Sequence, residues 1–223
     1  ADLIDDVILG CAMPEGVQGM NLARIASQRA ALPDTVPGAT INRCCASGLE
    51  AIAIGAQRIL SGMADIIIAG GAESMSLVPM GGFRMAPNPC LVDHMPDAYL
   101  AMGLTAENVA ATFGVSREDQ DRFSYESHQK AIAALDGGKF KDESVPVPVR
   151  EVSLNGHGTK TINEFVFDAD EGPRRDTSLA KLASLKPAFN PRGTVTAGNA
   201  SQRSDGAAAV LLVSGETLQA LGL

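Results

Sequence analysis

The sequence predicts an α/β fold in which a parallel or mixed sheet is covered by helices. Short apolar runs alternate with segments of helical period over the first 60 residues. Residues 65–69 form a continuous apolar run without alternation, which is typical of a strand covered on both faces. Hydrophobic residues make up 45% of the 223-residue chain, enough for a sizeable core. These observations agree with a layered α/β architecture.

Each element follows from apolar periodicity and from the residues that bound it. The predicted strands are residues 7–10, 39–42, 65–69 and 207–213; the predicted helices are residues 21–31, 49–60, 105–113, 116–135 and 176–185; and residues 141–151 and 161–167 are predicted to be extended or irregular. Helix 49–60 carries Leu49, Ile52, Ile59 and Leu60 on one face. Prolines within residues 141–151 restrict any strand there to a sheet edge.

The character of the chain changes after Met75. Glycine and proline are frequent between residues 79 and 96, which indicates a long excursion of the kind that carries function or forms a subdomain. Helical and extended segments follow before the apolar strand near the end of the sequence. We therefore predict a loop domain at residues 76–196, inserted into an α/β core of residues 1–75 and 197–223.

The most informative segment is Asn42-Arg43-Cys44-Cys45-Ala46-Ser47-Gly48, where an extended segment meets a helix. A thiolate at a helix N-terminus faces unpaired N–H groups and the positive end of the helix dipole, which lower the pKa of the thiol and make it nucleophilic. Cysteines more often act as small buried hydrophobic residues, here beside a capping Ser47. We expect that buried role for Cys44 and the nucleophilic role for Cys45.

Charge and cysteine content narrow the class of protein. The formal net charge of −8 argues against nucleic acid or an anionic membrane as a partner, because phosphate binding needs a basic face. The four cysteines form neither a disulfide framework nor a Cys-x-x-Cys site, so we expect no metal. A reducing compartment suits them, which favours the cytoplasm and leaves an organelle matrix open. The sequence opens without Met, and we expect it to lack its natural start.

Four separate motifs together resemble the thiolase family. They are the Cys45 segment with the helix after it, Gly70-Gly71-Ala72-Glu73-Ser74-Met75-Ser76, Met102-Gly103-Leu104-Thr105-Ala106-Glu107-Asn108, and the stretch from Gly193-Thr194-Val195-Thr196-Ala197-Gly198-Asn199-Ala200-Ser201 to Asp205-Gly206-Ala207. Their occurrence in the family's order leaves little room for coincidence. The resemblance implies a thiolase-type layered fold, with a mixed five-stranded sheet covered by helices and an inserted loop domain. We expect the first strand, ordinarily ahead of Asp2, to be missing.

The resemblance also implies a chemistry. Cys45 would take the acyl group in the thiolytic cleavage of a 3-oxoacyl-CoA, as in β-oxidation, or in the reverse Claisen condensation, and its N–H would donate to the oxyanion. Coenzyme A and acyl-CoA enter as substrates, no cofactor is expected to stay bound, and a homodimer or homotetramer is implied. The candidate coenzyme A contacts are Ala197 and Ser201 for pantetheine, Met102 and Phe189 for the tunnel around it, and Arg174 and Leu185 beside the adenine nucleotide.

Some thiolase motifs do not occur in this sequence. In the family a second half supplies Asn-Glu-x-Phe, Gly-His-Pro and Cys-x-Gly motifs, which hold an activating histidine and a second cysteine. His94, His128 and His157 lie in loop-domain context, where we expect surface or structural roles. Proton transfer needs groups within hydrogen-bond reach, so we expect residues 1–223 alone to be unable to catalyse thiolysis.

Several alternatives stay open. A non-catalytic thiolase-like protein that binds acyl-CoA or lipid would share the fold, although an intact Cys45 disfavours it. A short-chain acetoacetyl-CoA thiolase commonly has His before the Met-Gly of the third motif and Gly after Asn-Ala-Ser, where this chain has Ala101 and Gln202. We therefore favour the degradative 3-oxoacyl-CoA branch. The third motif, which begins at Met102, argues against a ketoacyl synthase. A nicotinamide reductase is disfavoured because no Gly-x-Gly-x-x-Gly follows an opening strand.

Overall fold

The structure is a computed structural model that describes residues 1–154, 156, 158 and 160–222. The chain divides into two compact units, which we call the sheet unit (residues 1–88 and from 203 onward) and the insert unit (residues 89–202). In chain order the elements are β1 (Asp6–Gly10), α1 (Leu22–Arg29), β2 (Gly38–Ile41), α2 (Ser47–Leu60), β3 (Ile66–Glu73), α3 (Pro89–His94), α4 (Met102–Phe113), α5 (Arg117–Asp136), β4 (Val147–Leu154), β5 (Lys160–Phe167), α6 (Leu179–Ala183), β6 (Gly206–Val213) and α7 (Gly215–Leu221).

The sheet unit is built on a mixed sheet with strand order β2-β1-β3-β6. Strand β1 is parallel to β2 and β3, and β6 runs antiparallel to β3 from the Ile66–Val213 pair to the Glu73–Gly206 pair. The predicted α/β class with a mixed sheet is confirmed. Over the described residues this sheet has four strands rather than five, because only residues 6–73 and 206–213 contribute strands to it.

Helices cover both faces of the sheet at its central strands β1 and β3, whereas residues 206–211 of the edge strand β6 are exposed. Val7 and Leu9 of β1 pack with Ala23 of α1, whereas Ile8 between them packs with Ala51 of α2. Alternate side chains of a strand point to opposite faces, so every position of β1 is buried. Strand β3 is covered in the same way, because Ile67 packs with Ala51 and Ile68 packs against the cluster of Val7. The prediction that residues 65–69 form a strand covered on both faces is therefore confirmed.

Helix α2 packs closely against the sheet through small residues. Its buried positions are Ser47, Ala51 and Gly55, and a Cβ at Gly55 would lie 2.7 Å from Leu212 Cδ1. The predicted apolar face is not the most buried one, since Leu49 and Leu60 are exposed. The apolar periodicity of the sequence located helix α2 but not the face that contacts the sheet. That face carries small side chains, because the helix axis lies close to the sheet.

Strand β3 extends further than the sequence indicated. The predicted end of this strand at residue 69 is wrong: residues 70–73 pair with β6, and Gly70 and Gly71 also pair with β1. A Cβ at Gly70 would lie 2.0 Å from the Ala208 carbonyl oxygen, so glycine permits this close pairing.

The insert unit contains α3 to α6 and a hairpin of β4 and β5. The hairpin pairs Val147 with Phe167 and Leu154 with Lys160, and Pro148 fits because each strand of a two-stranded sheet has an open edge. Over the described ranges, no helix combines the length and apolar character needed to cross a lipid bilayer.

The bounds of the two units can be compared with the domain prediction of 76–196, which stays a prediction. In the structure, residues 76–88 group with the sheet unit, where Val78 is buried and the Phe83 N–H donates to Glu15 Oε2 at 2.7 Å. Residues 197–202 group with the insert unit, where Asn199 Nδ2 donates to Asp121 Oδ1 at 3.0 Å.

Candidate active site

Cys45 lies in the turn between β2 and α2, two residues before the first residue of the helix. It is exposed, as is Cys44, whereas Cys11 is buried. The parallel strands β1, β2 and β3 all end at this edge of the sheet, the edge where α/β proteins usually bind ligands. The predicted burial of Cys44 is wrong, because the turn that leads into α2 directs its residues to the surface.

The turn before Cys45 is an unusual backbone conformation held by two polar side chains. Cys44 has φ +48°, in the left-handed region that non-glycine residues rarely adopt. Asn42 Oδ1 accepts the Cys44 N–H at 2.8 Å. Ser47 Oγ accepts the Arg43 N–H at 2.8 Å and donates to the Cys44 carbonyl at 2.6 Å. Strained residues persist where their surroundings over-determine them, and this turn meets that condition.

Ser47 is the first residue of α2 rather than its cap. The capping position is Ala46, and none of the described side chains accepts a hydrogen bond from the first turn of the helix there. The positive end of α2 is therefore open beside Cys45. Negative charge on a sulfur or an oxyanion at this position is stabilised by the helix N-terminus.

Glycines fix how close the helix start lies to the sheet. A Cβ at Gly10 would lie 2.3 Å from the Ser47 carbonyl carbon and 2.6 Å from the Gly48 nitrogen. A Cβ at Gly71 would lie 3.1 Å from the Gly10 carbonyl oxygen. The position of the Cys45 turn thus depends on backbone contacts that a side chain would prevent.

Glu73, from the second motif, holds the segment after β1. Its carboxylate accepts the Ala12 N–H at 2.6 Å, the Met13 N–H at 3.1 Å and the Gln18 Nε2 group at 2.6 Å. Cys11 Sγ lies 3.7 Å from Glu73 Oε1. Burial, and then the Glu73 charge, raise the pKa of the Cys11 thiol, so Cys11 does not compete as a thiolate.

The second and fourth motifs meet in the sheet unit. Asp205 accepts the Ser76 N–H at 2.8 Å and also hydrogen bonds from the hydroxyls of Ser74 and Ser76. The Ser76 hydroxyl, followed by the Ser76 N–H, lowers the pKa of Asp205. This contact joins the end of β3 to the start of β6, and it gives the serines of the Ser-Met-Ser segment a structural role.

All six predicted coenzyme A contacts lie in the insert unit, and Cys45 lies in the sheet unit. Met102 is the first residue of α4, and Gly103 follows it. The Phe189 ring packs against Gly103, where an added Cβ would lie 2.2 Å from the ring. Leu185 packs in the same way against Gly198, beside Ala197. Phe189 thus packs against the residue that follows Met102, and Leu185 against the residue that follows Ala197.

Arg174 and Ser201 make different contacts. Arg174 pairs with Asp176 at 3.5 Å, and its N–H donates to His128 Nδ1 at 3.1 Å. Ser201 donates to the neighbouring Gln202 carbonyl at 3.2 Å. Both are exposed, as are the other four candidates, so each can meet a ligand. Their roles stay predictions.

Glu107, from the third motif, was not predicted as a site residue, yet it organises the segment that carries Ala197. Its carboxylate accepts the Thr194 N–H at 2.9 Å, the Val195 N–H at 2.9 Å and the Thr194 hydroxyl at 3.2 Å. Burial acts to raise the pKa of Glu107, but these donors outweigh it and the pKa is lowered. A Cβ at Gly193 would lie 2.0 Å from Glu107 Oε1, which explains the glycine.

A second network continues from this segment into α5. Asn199 Oδ1 accepts the Thr196 N–H at 2.7 Å, and Asn199 Nδ2 donates to Asp121 Oδ1 at 3.0 Å. Arg117 Nε donates to Asp121 Oδ2 at 2.8 Å and Arg117 Nη2 to the Leu185 carbonyl at 3.0 Å. Asn199 of the Gly-Asn-Ala-Ser motif thus helps to fix the backbone of residues 194–199, where the candidate Ala197 lies.

The described histidines make local contacts. His94 Nδ1 lies 2.9 Å from the Cys90 carbonyl oxygen, and His128 accepts from the Arg174 N–H. His157 lies outside the described residues. Within the part of the chain that the structure describes, no three His, Cys, Asp or Glu side chains are grouped as metal ligands would be.

Comparison with known proteins places this chain in a family. The model of the thiolase N-terminal domain matches residues 1–216. The chain is 54% identical to the 3-ketoacyl-CoA thiolase of Bacillus subtilis, over 99% of this chain and 56% of that protein. It is 50% identical to the acetyl-CoA acetyltransferase of Chromobacterium violaceum, over 99% of this chain and 57% of that protein.

A solved structure agrees. The crystal structure of the Bacillus anthracis acetyl-CoA acetyltransferase superposes with a TM-score of 0.82 at 37% identity, covering 99% of this chain and 56% of that one. The chain spans somewhat more than half the length of the relatives it matches. The resemblance inferred from four motifs is confirmed, and the chain belongs to the thiolase family.

Proposed function

We propose that this chain carries the nucleophile of an acyl-CoA acyltransferase that cleaves 3-oxoacyl-CoA by thiolysis or catalyses the reverse Claisen condensation. The observation that carries the proposal is the exposed Cys45 beside the uncapped start of α2. A nucleophilic cysteine needs access to substrate and a positive environment for its thiolate, and this position offers both. The similarity to a 3-ketoacyl-CoA thiolase and to an acetyl-CoA acetyltransferase supports the same class of reaction.

The reaction proceeds in two acyl transfers. The Cys45 sulfur attacks the 3-oxo carbon, the bond between C2 and C3 breaks, and the acyl group remains on sulfur as a thioester. The released carbanion takes a proton and leaves as acetyl-CoA. The thiol of coenzyme A then attacks the thioester, which yields the shortened acyl-CoA and returns the Cys45 thiol. The Cys45 N–H donates to the oxyanion in both steps.

Two proton-transfer groups are needed besides Cys45. The resemblance assigns them to a histidine and a second cysteine in motifs that this sequence does not contain. The local hydrogen bonds of His94 and His128 support structural roles for these two residues. We therefore propose that turnover requires an assembled site that includes those further groups.

Coenzyme A binds as a substrate, with no resident cofactor. The exposed apolar side chains Met102, Leu185 and Phe189 would line the path of pantetheine, and Ala197 and Ser201 would meet its amides. Glu107 and Asn199 supply the rigidity that such a site needs, because they hold the backbone from Thr194 to Thr196.

The acyl chain is proposed to be that of the degradative branch. Short-chain members commonly have His where this chain has Ala101, and Gly where it has Gln202. A Cβ at Gly172 would lie 2.2 Å from Gln202 Nε2, so the larger side chain is packed against a second loop. The ratio of kcat/KM for 3-oxohexanoyl-CoA and acetoacetyl-CoA tests this choice, and a preference for acetoacetyl-CoA contradicts it.

The central test is the chemistry of Cys45 in the full encoded protein. Iodoacetamide at neutral pH should label Cys45 before Cys11, Cys44 or Cys90, as located by tandem mass spectrometry. Cys45→Ser should lower thiolysis on the order of a thousandfold or more, because a serine hydroxyl is a far weaker nucleophile here. The matched control is Cys90→Ser, which removes another exposed thiol. Preferential labelling of Cys44, or turnover retained in Cys45→Ser, would refute the assignment.

A non-catalytic protein that binds acyl-CoA is the alternative to this enzyme. Saturable binding of acyl-CoA without any acyl-enzyme mass on Cys45 would favour it over the transferase.

A further inference from the structure

The Gly-Gly-x-Glu motif has no role in the chemistry above, yet its glutamate lies at the edge of the sheet where Cys45 is found. Glu73 ends β3 and accepts the N–H groups of Ala12 and Met13 at 2.6 and 3.1 Å. Gln18 reinforces this contact, because its amide donates to Glu73 and accepts the Ser74 N–H at 2.7 Å. The short segment after β1 is therefore tied to the end of β3.

The other side of that segment is tied to the turn before the nucleophile. The Ala12 carbonyl accepts from Asn42 Nδ2 at 2.9 Å, while Asn42 Oδ1 accepts the Cys44 N–H at 2.8 Å. One amide thus joins two backbone segments. The route from Glu73 through Ala12 and Asn42 to Cys44 consists of hydrogen bonds within a single compact unit.

We propose that Asn42 is a positioning residue for the Cys45 nucleophile, coupling the turn at Cys44 to the Ala12 segment that Glu73 holds. The inference rests on the proposed role of Cys45, and it assigns a purpose to residues of two motifs outside the reacting groups. Asn42 keeps Cys44 in its left-handed conformation, which directs the next residue to the start of α2. Without this restraint the turn gains freedom to leave that conformation.

The two hydrogen bonds of Asn42 differ in what they fix. The bond from the Cys44 N–H is local and stabilises the turn itself, as asparagine commonly does two residues ahead. The bond to Ala12 is remote and sets where the turn lies relative to β1. An aspartate keeps the first bond and loses the second, because a carboxylate cannot donate to the Ala12 carbonyl. Asn42→Asp therefore isolates the coupling.

The test measures Cys45 directly in the full protein, with iodoacetamide alkylation followed by peptide mass spectrometry and with steady-state thiolysis. We expect Asn42→Ala and Asn42→Asp each to slow alkylation of Cys45 and to lower kcat by about tenfold, since small misplacements of reacting groups are costly. KM for coenzyme A should stay within about twofold, because its candidate contacts belong to the other unit. Asn42 is exposed, so neither variant should unfold.

The matched control is Asp5→Ala. Asp5 is also exposed and accepts two backbone N–H groups, from Asp65 at 2.7 Å and Ile66 at 2.9 Å, but at the opposite end of the parallel strands. It should leave the alkylation rate of Cys45 and kcat within about twofold.

The outcomes separate the two proposals. Asn42→Asp with parental alkylation and kcat overturns the coupling through Ala12, and so does an equal loss in Asp5→Ala. A parent protein whose Cys45 is alkylated no faster than Cys90 overturns the proposed function, and this inference with it.

Discussion

Replacing Gly10 by alanine should displace the start of α2 and with it the Cys45 turn. The added Cβ would lie 2.3 Å from the Ser47 carbonyl carbon, 2.5 Å from the Ser47 oxygen and 2.6 Å from the Gly48 nitrogen. Carbon atoms in contact are normally about 3.5–4.0 Å apart, so the helix start must move by roughly 1.2 Å or more. The atoms in the way belong to the backbone, and no rotamer change can relieve the clash.

The loss of stability in Gly10→Ala can be judged from the measured cost of overpacking a protein core. Inserted methyl groups in well-packed cores cost about 1–3 kcal/mol, and we expect the upper part of this range because the neighbours are backbone atoms. A shift near 1 Å at a reacting group can cost on the order of a hundredfold in rate. Gly10→Ala should therefore lower the free energy of unfolding by about 3 kcal/mol and kcat/KM for thiolysis by about a hundredfold.

Urea denaturation and thiolysis assays on the full protein measure both effects. The urea midpoint should fall at unchanged slope, which indicates a loss of stability rather than a change in cooperativity. Gly215→Ala is the matched control, since nothing lies within 4 Å of its added Cβ. It should leave both quantities within error of the parent. Parental stability and activity in Gly10→Ala would refute the close contact between β1 and α2.

Three further predictions concern other parts of the molecule. The lowered pKa of Glu107 stabilises the fold above its unfolded value of about 4.3, and this contribution is lost as pH falls through the folded pKa. The parent's urea midpoint should thus fall more steeply with acid than that of Glu107→Gln, and parallel curves would contradict this. Cys44→Gly should raise the free energy of unfolding by about 0.5–1 kcal/mol, because glycine adopts the left-handed backbone without strain. Iodoacetamide should still label Cys45 at the parental rate, and a lower urea midpoint would count against this prediction. Light scattering should show a dimer or a dimer of dimers, because β2 is an edge strand with half-buried residues; a monomer at all concentrations would disprove association.

Much of the fold could be predicted from the sequence, because its main signals are local. The predicted bounds of the strand before Cys45 and of the helix after it agree with β2 and α2 to within two residues. The helix predicted at residues 116–135 agrees with α5 to within one residue, and the hydroxyl of its capping Ser116 accepts the Asp119 N–H at 3.1 Å. The hairpin β4–β5 and helix α7 were not predicted as such, since exposed pairs and short terminal helices carry weak apolar periodicity.

The candidate site could be predicted less completely, because its geometry depends on contacts distant in sequence. Cys45 was found from the junction of strand and helix. Cysteine rarely adopts a left-handed backbone, so nothing in the sequence indicated this conformation at Cys44. For that reason the exposure of the Cys44 side chain was not predicted. Glu73 and Glu107 stood in quoted motifs, but only the structure shows that each binds backbone N–H groups more than 50 residues away in sequence.

The contact of Gly10 in β1 with the start of α2 separates the stability of the protein from the position of its nucleophile, two properties that usually change together. Val7, Leu9 and Val36 bury apolar surface on the face of the sheet that α1 covers. The position of the Cys45 turn, by contrast, is set by main-chain contacts on the face that α2 covers. Conservative substitutions on the α1 face should therefore alter how readily the protein melts while leaving the chemistry of Cys45 intact. An engineer could raise heat resistance through one face of the sheet and tune the reaction through the other.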